Sequence, residues 1–238
     1  MATSRRSPLS VLGWIAAVAL VGAAVASAVL GFNLLGDAPL RSEGSDWVDF
    51  TVTRLAFDRD RLVWDVAASL LFALAFVALA GIGMVLGQAR SAARDHGSAM
   101  AAVFLVAGIL GATAQLLHVG AVQMATDPTI CDCGYRAEEI IGRLQALQVA
   151  DSAQTWLMHG SLLTASVGFL LVANMESIAS WPRWLLAASW LIAVLLSAGV
   201  AATLLDLELL PDVIVLVAAG IVIPAWAIGV ADTRTQPA

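Results

Sequence analysis

Two histidines and two cysteines stand out as groups able to do chemistry in this otherwise apolar chain of 238 residues. His118 and His159 fall inside apolar stretches, each about five to eight residues from the same end of the bundle, or ~8–12 Å deep at ~1.5 Å per residue. Gln115, Ala114 and Gly111 share a helical face with His118, and the small residues leave room for something bulky. Thr155, Trp156 and Ser166 accompany His159. Two imidazoles at similar depth on adjacent helices could ligate haem iron or a transition metal, so haem b or copper is the cofactor class to consider. The structural alternative is a pair of core histidines hydrogen-bonded to Gln115, Thr155 or each other. A proton relay is the third. His96, in a short connection, is read as solvated.

Cys131 and Cys133 lie in one loop between the two histidine segments. Thiolates suit soft metals such as Cu(I), and Met124, Met158 and the histidines would complete such a site. A redox dithiol, a disulfide staple and two idle thiols are the other readings. Asp65 opens the apolar stretch that precedes the His118 segment and is a supporting polar group. Asp206, Glu208 and Asp212 could hold a cation, but at a helix boundary they are read as solvated. Phosphate-loop, zinc-protease, nucleophile-elbow and c-type haem motifs are absent.

The elements that must position these groups are membrane spans. Apolar residues make up 60% of the chain and charged ones 13%, against about 45–50% and about 25% in a soluble domain. Mean hydropathy is +0.88. Six stretches approach the ~17–25 apolar residues a spanning helix needs: approximately 9–35, 66–88, 98–125, 154–175, 184–205 and 213–230. The expected fold is therefore an all-α integral membrane protein, a single polytopic domain over 1–238. It is a bundle of six transmembrane helices with a short outer amphipathic helix between spans 3 and 4. That helix covers about 136–149 and either lies on the surface or runs into the fourth span. Residues 37–61 are read as a short interfacial element before the second span.

Pro224 should kink the last span near Gly220, whose carbonyl loses its partner. The first segment resembles a signal peptide at Ala24–Ala28 but continues too far, so an uncleaved helix is expected. Ala23, Ser27 and Gly31 form a small-residue stripe suited to close packing. Trp14, Trp181 and Trp184 are read as interfacial anchors.

All twelve basic residues are arginine. Arginine is denser on the short loops that share a side with the N-terminus, which places both termini in the cytoplasm of a cell-membrane protein. Fifteen of the eighteen acids then fall outside. Two cysteines are too few for a disulfide-stapled fold. No basic cluster suggests nucleic acid, so the partners expected are the lipid bilayer and other membrane subunits. The functional expectation is a membrane redox or metal/haem-handling protein with its site in the outer leaflet. The alternatives are a non-enzymatic accessory or scaffold subunit and a small-solute or proton transporter using Asp65, His118 and His159.

Overall fold

The computed structural model describes residues 7–31, 47–88, 94–126, 137–174, 181–207 and 210–233. Every element among them is helical: α1 (Pro8–Gly31), α2 (Trp47–Gln88), α3 (Arg94–Ala125), α4 (Ala137–Asn174), α5 (Arg183–Leu204), α6 (Leu210–Val217) and α7 (Ile223–Asp232). A π-helical turn, Ala218–Val222, joins α6 to α7. Apolar segments have no water to satisfy their peptide groups in lipid, and the helix satisfies them internally. Six helices are long and apolar enough to cross a membrane, with α6, the π turn and α7 sharing the sixth. Val18, Val25, Val77, Val194 and Ile221 are exposed on these helices, a surface suited to lipid rather than water.

Packing follows chain order, and the sixth span returns to the first. The glycine contacts set the directions. Gly22 meets Leu71 and Gly81 meets Leu12, so α1 and α2 are antiparallel. Gly111 meets Phe76 and Gly83 meets Phe104, an antiparallel pairing of α2 with α3. Ser161 Oγ donates to the Ala107 carbonyl at 2.7 Å between α3 and α4. Ser166 Oγ donates to the Ala193 carbonyl at 2.9 Å between α4 and α5. The Trp226 indole donates to Ser189 Oγ at 2.9 Å and ties α7 to α5. The seam between α1 and α7 closes the ring at Gly13, where a Cβ would lie 2.5 Å from the Ala227 carbonyl oxygen and 2.8 Å from the Ala231 Cβ. Only glycine allows that approach. A second such contact sets Gly87 of α2 against the backbone of Gly97 in α3.

Several expectations change. The helix expected between spans 3 and 4 takes the second of its two placements: it runs into the fourth span and is not a separate element among the described residues. Residues from Ala137 onward are the first turns of α4, continuous to Asn174. Residues 47–61 likewise belong to α2 rather than to an interfacial piece. At 42 residues α2 is ~63 Å long, about twice the ~30 Å hydrocarbon thickness. The N-terminal turns of α2 and α4 therefore project from the same end of the bundle, here the His118 end. The opposite end is the Trp181 end.

The expected kink takes the form of the π turn, which ends just before Pro224. Widening the turn moves the preceding carbonyls away from the proline ring. In the small-residue stripe only Ala23 is fully buried; a Cβ on Gly31 would meet nothing within 4 Å. Trp14 and Trp184 are exposed as anchors would be, whereas Trp181 is buried in the core.

Candidate functional site

Asp65, His118 and Gln154 meet at one end of the ring. They come from α2, α3 and α4 in turn. The His118 Nε2 lies 3.1 Å from Asp65 Oδ1 and 3.3 Å from Oδ2, so Nε2–H donates to the carboxylate. The Nδ1 lies 3.1 Å from Gln154 Oε1. With side-chain exposures of 23% for His118 and 30% for Asp65, both groups are accessible from the end of the bundle yet held within spans. Asp151, one turn before Gln154, adds a second carboxylate to the field at the ring. One turn before Asp65, the Arg61 guanidinium lies over the Phe57 ring, 3.9 Å from its centroid.

The placement follows from helix periodicity and register. Asp65 and His118 fall opposite each other because the α2–α3 pairing set by Gly83, Gly108 and Gly111 continues to the end of both helices. Gln154 reaches His118 because α4 runs unbroken past it.

His159 is elsewhere. The α3–α4 register pairs Ala107 with Ser161, Leu110 with Gly160 and His118 with Gln154. His159 is then level with the stretch from Gly111 to Thr113 on α3, about five to seven residues or ~7–10 Å deeper than His118. The two imidazoles are not at equal depth, and no contact joins them. The offset arises because α4 extends outward by turns that an apolar count does not register. Among the described residues no group of three or more His, Cys, Asp or Glu side chains converges as a metal site needs. The arrangement lends no support to a metal or haem shared by His118 and His159. Cys131 and Cys133 lie outside the described residues, so the relay and the disulfide alike fall there. Glu208 and the side chains of His96 and Asp212 are also outside the description.

The other expected supports are used differently. The Thr155 hydroxyl donates to the Asp151 carbonyl of its own helix at 2.8 Å, away from His159. Ser166 bonds to α5. The space beside Gly111 is taken by the Phe76 ring. Asp206 has a φ of 55°. It occupies the left-handed position of a Schellman closure, with Leu207 N–H donating to the Ala202 carbonyl at 3.0 Å and Asp206 N–H to Thr203 at 3.1 Å. Its clear role is to end α5.

His159 instead borders a partly open cavity of about 710 Å³ lined by residues from all six spans. Phe76, Gln115, His159, Leu196, Thr203 and Ala219 are among its walls. The cause is a lengthwise division of side-chain size. Towards the Trp181 end the ring is filled by Phe104, Phe169 and Trp226, with centroids 5.3 Å and 4.9 Å apart in edge-to-face contact. Towards the His118 end small inward residues (Ala24, Ser27, Ala75, Gly199, Ala219) alternate with larger ones such as Phe72, Phe76 and Leu162 and leave space unfilled. The His159 Nδ1 is buried and has no hydrogen-bond partner among the described residues, and its ring stands edge-on to Trp156 at 5.9 Å. Gln154 is the one site residue the sequence reading missed. The available signal was its polar amide at the very start of an apolar stretch, on the helix next to His118. No protein-family model, curated protein or solved structure matches this chain.

Proposed function

We propose that this chain is a proton-handling membrane protein, of the transporter class, in which Asp65 and His118 take up and release protons and the Gln154 amide holds the ring in either state. The carboxylate–imidazole–amide chain across three helices is the observation that carries this reading. Ionisable groups within spans are expensive and mark ion or proton pathways by default. The chemistry of the triad suits proton exchange. With the Gln154 oxygen facing Nδ1, both ring nitrogens donate and the ring is an imidazolium. Turned by half a rotation, the amide donates to a bare Nδ1, and the neutral ring keeps both bonds. Either protonation state is thus accommodated without moving a helix. By the arginine bias, the His118 end faces outside and both termini are cytoplasmic.

Full-length protein reconstituted in liposomes, under a potassium-diffusion potential with an internal pH dye, tests this. Wild-type vesicles should acidify faster than protein-free ones, and Asp65→Asn should remove the excess while leaving the melting temperature within a few degrees. Wild-type flux equal to the protein-free leak would refute the proposal. That result would leave a scaffold subunit, whose polar groups only fix packing, as the better reading. The redox or metal-handling alternative, with haem b or copper, draws on the unpartnered His159 and on the two cysteines. An absorption spectrum and elemental analysis of the purified protein decide it.

A further inference from the structure

The cavity is a second candidate site, separate from the proton chain, and its walls define a ligand. Its volume, about 710 Å³, is within the ~300–1,000 Å³ usual for small-molecule sites. Among the described residues lining it there is no Asp, Glu, Lys or Arg. Such a wall carries no permanent charge to pair with an ion and so favours a neutral guest. The polar groups are not scattered. Ser27, Gln115, His159 and Thr203 lie toward the His118 end, while Leu20, Leu79, Phe169 and Ile223 form the deeper part. Gln115 is 7% exposed, and the His159 Nδ1 is buried without a partner among the described residues. A buried ring nitrogen normally has one, since leaving it unmade is unfavourable. An apolar acyl tail alone would fill the lower part and leave these groups unsatisfied.

We propose that this cavity binds one neutral, lipophilic molecule whose head carries ring carbonyl or hydroxyl oxygens, a quinone or quinol being the type. The head sits between Gln115 and His159. The Gln115 amide both donates and accepts, and Nδ1 does either according to tautomer, so both oxidation states of such a head can be held. The tail descends toward Phe169. Binding alone is proposed, with no electron transfer, and it stands whether or not protons move through His118.

Isothermal titration of the full chain in detergent tests it with three probes: a decyl-substituted benzoquinone, decylbenzene as the headless control, and oleate as the anionic one. The quinone should bind saturably, one per chain, with the two controls at least tenfold weaker. His159→Leu should weaken quinone binding roughly tenfold, the scale of one hydrogen bond, while the unliganded melting temperature holds. Ala219→Phe, which fills the cavity from the π turn, should abolish binding, and Gln115→Leu repeats the head test if His159→Leu does not fold. Absence of saturable binding would overturn the inference. So would equal affinity for decylbenzene, the behaviour of a lipid-tail crevice, or full binding by Ala219→Phe, which would put the site elsewhere.

Discussion

At the scale of the residue, His118 is linked to two neighbours, and its loss is felt differently by each. Gln154 is an amide that water can satisfy at the bundle end. Asp65 is a carboxylate that would face the spans with its main partner gone. Removing one member of such a pair is worse than removing both, because the charge left behind loses its compensation. His118→Leu should therefore lower stability by about 1–2 kcal/mol, the lower range being set by partial solvent access. Adding Asp65→Leu should recover part of that loss. Thermal unfolding of the two variants in detergent, followed by circular dichroism, gives the comparison. If the double variant falls below wild type by the sum of the losses of His118→Leu and Asp65→Leu measured singly, the two side chains are not coupled.

At the scale of the element, small residues decide how close the helices come. The α1–α7 seam closes at Gly13, where an added Cβ would strike the Ala227 carbonyl and Ala231. No hydrophobic force drives helices together in lipid, so such close packing holds the ring. Gly13→Val should destabilise the protein by about 2–3 kcal/mol through overpacking. Gly31→Ala, with nothing within 4 Å, should be neutral or slightly stabilising. Melting temperatures of the two variants side by side would show this, and equal effects would mean that the seam tolerates separation. Sequence spacing alone favoured the other choice. Ala23, Ser27 and Gly31 repeat every fourth residue, but a stripe says nothing of what stands opposite it. Among the described residues Gly31 meets no side chain, and Gly13, outside that stripe, carries the contact.

At the scale of the whole molecule, the ring has one projecting end and one filled end, and orientation decides which faces the cell exterior. In the orientation proposed from the density of arginine on the short loops, the N-terminus is inside and the His118 end faces outside. The loop that carries Cys131 and Cys133 is expected on that same outer side. An impermeant maleimide applied to intact cells after mild reduction should label these cysteines. Labelling that appears only once the cells are broken would reverse the orientation. The same peptide, analysed by mass spectrometry without reduction, shows whether the two thiols are joined.

The sequence by itself determined that six segments are helical and apolar, because hydropathy and backbone satisfaction in lipid are properties of each segment alone. It also put His118 within a span and Asp65 at the start of one, where an ionisable group is conspicuous against its neighbours. The tertiary structure decided which groups meet. Equal depth of His118 and His159 follows from counting residues inward from apolar boundaries. The actual register follows from Ser161 against Ala107 and from an α4 that continues outward to Ala137. That register brings Gln154 to His118 and leaves His159 deeper. The cavity was equally hidden, since alanine and glycine count as apolar wherever they stand. A void opens only where small residues such as Ala24, Ala75, Gly199 and Ala219 from several spans face a common space, and the packing of the ring alone settles that.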